Sequence, residues 1–368
     1  MAKTLLYIAN VRLPTDNAHG LQIMKTCEAL AAQGIEVTLL HPWRLNTYRG
    51  DPFDAYRVKR SFRLITLPSF DTLQFGRAGF WFQNVTFGLT VSAYLLSRHF
   101  DVVYSRDELP LLMASYVARP CFWESHTGRH NRLIAALLRR VAGLVVISNG
   151  LRDLYAERGF SQERIIVAPD AVSLEDFAHP QPKEEARSRL GLPLDVKIAL
   201  YIGKLDGWKG VDTFCGASAY MVDVLCVVIG GDPGQVKTFS EKYPKVRFLG
   251  WRPYGELSDN QAAADVLVLP NTARDEVSLR FTSPLKLFSY MASGRPIACS
   301  NLPSLREILD DISAFWFTPD DSEDCARALR EALTSDAQAV ERAAHAAELV
   351  QGYSWGMRAR AIRKGLAL

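Results

Sequence analysis

The sequence TSPLKLFSYMASGRPIACS, residues 282–300, predicts a helix that leads directly into a strand. Ser283 is a favourable N-cap, and Pro284 suits the first helical position because its missing N–H would have no helical partner there. Gly294 can adopt the left-handed conformation that ends a helix. The apolar run that follows predicts a buried strand. A helix over 284–293 followed by a strand is typical of an α/β sheet.

The start of this helix also predicts an anion site, because the N–H groups at Ser283–Lys286 have no helical acceptors. Lys286 and Ser289 are three residues apart, so we expect them to share one face near that end. The buried stripe is expected at Leu285, Phe288 and Ala292.

Outward from this stretch, the whole chain alternates apolar strands with helices. Each strand is a continuous apolar run, as expected for a parallel sheet covered on both faces. The sequence becomes polar after Asp170 and contains Pro180 and Pro182 before a second series of strands and helices begins. This pattern predicts two doubly wound domains, 1–180 and 181–353, with a helical tail after them. Arg358, Arg360, Arg363 and Lys364 of the tail are interpreted as a solvated basic face.

Composition limits the possible functions. The chain has 368 residues, 48% of them hydrophobic, and a formal net charge of +3, which argues against a nucleic-acid binder. Six scattered cysteines include no CxxC pair, so we expect buried thiols and no metal site. We expect no leader peptide, and no apolar run reaches the roughly 18 residues of a membrane span. A cytoplasmic location is expected.

Two loops at strand ends carry candidate binding residues in the first half. Asn17, His19 and Gly20 follow the first strand, where doubly wound domains bind ligands. Glu124 and His126 follow a later strand and are expected at the same sheet edge, where the imidazole could contact a sugar hydroxyl. An ordinary turn and a structural histidine remain the alternatives.

In the second half, residues 203–210 (GKLDGWKG) form a strand-to-helix loop. Lys204 and Lys209 beside free N–H groups suit a diphosphate, although the P-loop spacing is absent. We expect Lys209 to be exposed. In the first half, segment 60–90 mixes basic and aromatic residues, which suggests either core packing or a peripheral membrane contact.

These stretches together resemble a retaining glycosyltransferase of family 4. The resemblance extends over nearly the whole chain and is carried by 203–210, Phe248-Leu249-Gly250, 265–270, 283–297 and Tyr353-Ser354-Trp355. It implies the GT-B fold, two Rossmann-like domains facing across a cleft, with the helix at about 354–368 packed back on the first domain. It further implies a nucleotide-sugar donor, a sugar, lipid-linked or small-molecule acceptor, and no required metal or other cofactor.

The resemblance also implies roles for individual residues. Lys204 and Lys209 would hold the donor diphosphate, and His126 would lie near the donor sugar. The stretch Gly250–Arg252, with Arg252 at its end, would lie by the base. Further donor-site residues implied or inferred are His19, Gly20, Gly203, Glu276, Thr282, Ser283, Pro284, Leu285, Lys286 and Ser289.

The chain departs from the family at two carboxylates. The family's paired glutamates fall on Phe281 and Ser289, and neither position carries a carboxylate. Asp275 or Glu276 could replace the first. The departure keeps two other functions open: a weakened GT-B protein that acts as a binding or scaffold partner, and a GT-B epimerase that uses Glu124 as its acid/base group.

Overall fold

The computed structural model describes residues 2–15, 17–46 and 50–368. It divides the chain into two compact units. Unit 1 contains the described residues up to Pro169 together with Trp355–Leu368, and unit 2 is Asp170–Ser354.

Unit 1 is built on a seven-stranded parallel sheet in the order β3-β2-β1-β4-β5-β6-β7. Its strands are β1 (Thr4–Ile8), β2 (Glu36–Pro42), β3 (Arg63–Leu67), β4 (Val102–Ser105), β5 (Cys121–Ser125), β6 (Gly143–Val146) and β7 (Ile165–Val167). Its first helices are α1 (Ala18–Ala32), α2 (Pro52–Ala55), α3 (Gly76–Leu96), α4 (Glu108–Ala114), α5 (Arg132–Leu138) and α6 (Asn149–Glu157). The strand order reverses between β1 and β4, so loops after these strands flank the crevice where such sheets bind ligands.

Unit 2 is built on a six-stranded parallel sheet in the order β10-β9-β8-β11-β12-β13. Its helices are α7 (Lys183–Leu190), α8 (Val211–Ala217), α9 (Pro233–Lys242), α10 (Leu257–Ala262), α11 (Leu285–Ala292), α12 (Pro303–Arg306), α13 (Ser322–Thr334) and α14 (Asp336–Leu349). Its strands are β8 (Lys197–Ile202), β9 (Val224–Ile229), β10 (Val246–Phe248), β11 (Val266–Leu269), β12 (Ile297–Ser300) and β13 (Phe315–Phe317). The order reverses between β8 and β11, so the loops after these two strands flank its crevice.

The final helix, α15 (Trp355–Gly365), belongs to unit 1 and packs against α1. The change of unit falls at Pro169 rather than at residue 180, because the polar stretch that follows is packed on unit 2. Val172 donates its N–H to the Tyr353 carbonyl at 3.0 Å, and Phe177 is buried in the unit 2 core.

All six cysteines are buried and unpaired, as predicted. Throughout the described ranges, no helix has the length and apolarity needed to cross a membrane.

Candidate functional site

The loop after β8 is shaped by glycine. Gly203 has φ of 156°, a conformation that L side chains rarely adopt, and a Cβ there would lie 2.6 Å from Lys286 Nζ and 2.9 Å from Tyr201 Oη. The Tyr201 hydroxyl donates to the Lys204 carbonyl at 2.8 Å, and Lys204 is exposed. The glycine thus leaves room for the Lys286 ammonium group at the strand end.

Lys286 and Lys209 form the electropositive centre of this loop. Lys286 Nζ donates to Tyr201 Oη at 2.7 Å, and burial followed by the nearby Lys209 charge holds its pKa well below the usual range. Burial lowers the pKa of Lys209 to about 8, and Asp206 opposes this shift. The prediction that Lys209 is exposed is wrong, because it is only partly accessible and its ammonium group lies 3.3 Å from the centre of the Trp208 ring.

The start of α11 differs from the prediction. The helix begins at Leu285, and Pro284 occupies the N-cap position, where it has no side chain to cap the helix. The Ser283 hydroxyl instead accepts the Asp170 N–H at 3.0 Å. Thr282 and Ser283 are both buried. The prediction of Ser283 as N-cap and Pro284 as first helical residue is therefore wrong.

Ser289 lies on the inner side of α11. It is 4% exposed, and its hydroxyl accepts a hydrogen bond from Gln261 Nε2 at 2.9 Å while donating to the Lys286 carbonyl at 2.9 Å. Ser289 is therefore packed against α10, whereas Lys286 is partly exposed. The predicted stripe is only partly right, because Phe288 is buried whereas Leu285 and Ala292 are partly exposed.

The lengthened loop before α11 contains a π-helical turn over Val277–Phe281, a feature often found at functional sites. Asp275 caps this turn by accepting the Ser278 N–H at 3.1 Å. Glu276 is exposed and pairs with Arg280 at 3.9 Å. Phe281 is buried. Arg252 is exposed beyond β10, two residues after Gly250.

In unit 1, Gly20 is the third residue of α1, and His19 beside it is partly exposed. A Cβ at Gly20 would collide with the Tyr56 hydroxyl and approach Thr15 Cγ2 to 2.7 Å. The Tyr56 hydroxyl also accepts the Thr15 N–H at 2.6 Å. Packing of Tyr56 thus accounts for this glycine without a ligand.

Glu124 is the centre of a buried network in unit 1. Its side chain is 0% exposed, and its Oε1 accepts from Gln22 Nε2 at 2.7 Å, His126 Nε2 at 2.6 Å and an Arg358 guanidinium N–H at 2.6 Å. Its Oε2 accepts from the Tyr104 hydroxyl. Burial alone would raise the pKa of Glu124, but Arg358 and His126 outweigh it and hold the pKa well below its usual range.

His126 follows β5 and keeps 16% of its side chain exposed. Burial and the Arg106 charge lower its pKa to about 4, although Glu124 opposes the shift. His126 is therefore a neutral imidazole at pH 7 that can act as a hydrogen-bonding group.

Arg358 was missed by sequence reasoning. The interpretation of its side chain as part of a solvated face is wrong, because Arg358 is 4% exposed. Trp355, Ala359 and Ile362 are buried on the same helix, and Arg358 falls on their stripe at helical spacing. That periodicity was the available signal.

No group of three or more His, Cys, Asp or Glu side chains suited to a metal ion occurs within residues 2–15, 17–46 and 50–368.

Comparison with known families identifies the chain. Residues 20–176 match the model described as Glycosyltransferase Family 4, and residues 196–335 match the one described as Glycosyl transferases group 1. The chain belongs to glycosyltransferase family 4. The two matches fall on units 1 and 2, and together they cover most of this family 4 chain.

Individual relatives are distant. A D-inositol 3-phosphate glycosyltransferase of Kineococcus radiotolerans is 26% identical over 257 residues, which are 62% of this family 4 chain and 57% of that protein. The chain thus spans little more than half the length of this relative.

Solved structures match over a greater length. Sucrose-phosphate synthase from Thermosynechococcus elongatus has a TM-score of 0.79 at 19% identity, over 98% of both chains. Anabaena HepE, solved with UDP and glucose, has a TM-score of 0.77 at 16% identity, over 99% of both chains. At these identities the likeness shows the fold, and the predicted GT-B class is confirmed.

Proposed function

We propose that the protein transfers a sugar from a nucleoside-diphosphate sugar to an acceptor hydroxyl, with retention of anomeric configuration. The observation that carries the proposal is the Lys209–Lys286 centre at the end of β8. Neither ammonium group forms a salt bridge with a carboxylate in the part of the chain that the structure describes. A bound diphosphate would supply the missing anion.

In this proposal, catalysis consists mainly of stabilising the leaving group. As the glycosidic C–O bond breaks, the bonding electrons pass to the diphosphate oxygen, where Lys209, Lys286 and Lys204 would stabilise the developing charge. The acceptor oxygen bonds to the anomeric carbon on the same face and gives its proton to that leaving oxygen. Retention then needs no nucleophile from the protein. The HepE complex with UDP and glucose supports a nucleotide-sugar donor by analogy.

The environment of Glu124 argues against the epimerase alternative. An acid/base group must exchange protons with substrate, and its pKa should lie near the working pH. Glu124 is fully buried, held by Arg358 and kept ionised. The scaffold alternative is based on the two missing carboxylates. Turnover of a donor sugar distinguishes it from the transferase, because a scaffold protein would show none.

Calorimetric titration with UDP, GDP, ADP and inorganic phosphate tests the donor site. Lys209→Ala should weaken binding of the preferred nucleoside diphosphate roughly ten- to hundredfold, or about 1.5–3 kcal/mol, because a charge-assisted contact is lost. Lys237→Ala removes an exposed lysine of α9 and serves as the matched control. Equal affinities for the wild type and Lys209→Ala would sink the site assignment. Release of nucleoside diphosphate from the matching donor sugar would then test turnover.

A second part of the proposal concerns a peripheral contact with an anionic bilayer. Large apolar side chains are exposed on and beside α3, namely Phe70, Phe75, Phe80, Trp81, Phe82, Val85 and Leu89. Residues 59–98 contain five Lys or Arg and a single acidic residue, Asp71, which pairs with Arg12 at 3.2 Å. Exposed aromatic rings among basic residues suit the interface of an anionic membrane.

Sedimentation with lipid vesicles tests this contact. The wild type should bind vesicles containing phosphatidylglycerol more strongly than vesicles of phosphatidylcholine alone, and added salt should weaken binding. The variant Phe75→Ser/Trp81→Ser should lose most of this binding. Tyr220→Ser, which removes an exposed ring from unit 2, should retain it. No binding by the wild type, or full binding by the double variant, contradicts the contact.

A further inference from the structure

The Arg358–Glu124 pair joins residues 234 positions apart in the sequence. Both side chains are almost wholly buried, at 2% and 0% exposure. Such a pair is a costly way to attach a helix, because the desolvation of two charges opposes their attraction. Attachment of α15 therefore does not by itself explain why this position carries a charge.

The geometry around Glu124 fixes the protonation of His126. An ionised carboxylate only accepts hydrogen bonds, so the 2.6 Å contact requires a proton on His126 Nε2. Arg106 donates to Gln22 Oε1 at 2.7 Å, which orients the Gln22 amide so that its Nε2 also donates to Glu124. A neutral imidazole protonated at Nε2 has Nδ1 as its acceptor.

We propose that Arg358 is a positioning residue, which keeps Glu124 ionised so that His126 is held as the Nε2–H tautomer and presents Nδ1 as an acceptor for a substrate hydroxyl. The substrate part of this inference rests on the proposed transferase function. Nδ1 accepts no hydrogen bond from any residue that the structure describes, and the imidazole is partly exposed. A sugar hydroxyl is a donor of the kind this nitrogen requires.

The charge of Arg358 also bears on when His126 becomes protonated. Arg358 and Arg106 both disfavour the imidazolium form, while Glu124 favours it. Tyr7 and Tyr104 on the neighbouring strands and Cys27 on α1 also face this cluster, and burial raises the pKa of all three, so they stay neutral at pH 7. Burial of the imidazole is the main reason that His126 stays neutral, and the charges of Arg106 and Arg358 add to it.

Long-range ¹H–¹⁵N NMR of the full chain tests the proposal without any turnover assay. The His126 signals are assigned by their loss in His126→Ala. The wild type should show one tautomer, protonated at Nε2, and a pKa of about 4. In Arg358→Met, that pKa should rise by roughly 1–3 units, or the Nδ1–H tautomer should become populated. Arg358→Lys should restore the wild-type tautomer in large part, and Arg360→Met, an exposed arginine of α15, should change nothing.

Arg358→Met leaves Glu124 buried without its cation, so this variant can fail to fold. The double variant Glu124→Gln/Arg358→Met removes both charges and provides the second test. Its amide can accept or donate, so both tautomers of His126 should be populated. A folded Arg358→Met or double variant that keeps a single Nε2–H tautomer and an unchanged pKa overturns the proposal. Because the readout is spectroscopic, an absence of turnover with every donor would count against the proposed function alone.

Discussion

At the scale of single residues, the candidate donor site depends on lysine side chains that are largely shielded from solvent. Lys286 is held by Tyr201, and Lys209 lies over the Trp208 ring. Their pKa values are both lowered by burial, so each ammonium group costs free energy until an anion arrives. Binding of a diphosphate is expected to raise both pKa values.

The pKa of Lys209, about 8, predicts a pH-dependent affinity for nucleoside diphosphates. Below that pH the free protein carries the charge, and above it the lysine must take up a proton as the ligand binds. The second ionisation of phosphate is near pH 6, so the ligand keeps its charge in this range. The titration of Lys209 alone should therefore lower the affinity by up to about tenfold between pH 7 and pH 9.

Calorimetric titration across this range checks the prediction. The fall in affinity with pH should become smaller in Lys209→Met, where only Lys286 can still take up a proton, and should stay unchanged in Lys237→Met. An affinity that does not change with pH in the wild type would contradict the assignment of Lys209 to the diphosphate.

At the scale of elements, the start of α11 shows how a residue distant in sequence can override the local rule for helix capping. Ser283 and Pro284 have the spacing of a helix start, yet the Ser283 hydroxyl is engaged by the N–H of Asp170. Ser289 is similarly engaged by Gln261 of α10. Local helix propensity predicts the middle of α11 correctly, whereas tertiary contacts determine the hydrogen bonds that its polar side chains form.

The burial of Ser289 predicts the effect of restoring the family's carboxylate. Ser289→Glu would place a charge beside Gln261 in a site that is 4% exposed, so the variant should have a lower Tm and no higher affinity for UDP. A thermal scan and a titration with UDP measure the two effects, with Glu241→Gln at an exposed position of α9 as a control for a change of charge. Tighter UDP binding by Ser289→Glu would show that the carboxylate reaches the nucleotide.

At the scale of the whole molecule, each unit contains a deeply buried arginine paired with a carboxylate among the residues that the structure describes. Arg358 pairs with Glu124 in unit 1, and Arg187 pairs with Asp265 at 2.6 Å in unit 2. Burial opposes ionisation of Asp265, but Lys183, the Ile198 N–H and Arg187 outweigh it and lower the pKa. The stability of both units is therefore linked to pH through the same kind of contact.

This linkage predicts acid sensitivity. A carboxylate with a lowered pKa stabilises the folded state at pH values above its unfolded pKa, near 4, and that stability is lost as the pH falls further. Urea unfolding at pH 7, 5 and 3.5 should show a decline mainly in the last step. Asp265→Asn should be less stable at pH 7 and should show a smaller decline. An equal decline in the wild type and Asp265→Asn would show that other groups control the acid transition.

Much of this architecture could be predicted from the sequence, because buried parallel strands correspond to continuous runs of apolar residues. The strands Val224–Ile229 (VLCVVI) and Val266–Leu269 (VLVL) are examples of such runs. The π-helical turn at Val277–Phe281 and the Arg358–Glu124 pair could not be predicted in the same way. The turn and the ion pair both depend on which distant segments come into contact. The pattern of apolar residues along the chain does not indicate those contacts.

The return of α15 to unit 1 has a consequence for biosynthesis. A ribosome completes the first 169 residues early, but the cation that neutralises Glu124 is added only after all of unit 2 has been made. Domains usually fold in order as they emerge. Here the first unit lacks α15 and the Arg358 cation until the second unit has been made, so the second unit can fold before the packing of the first is complete.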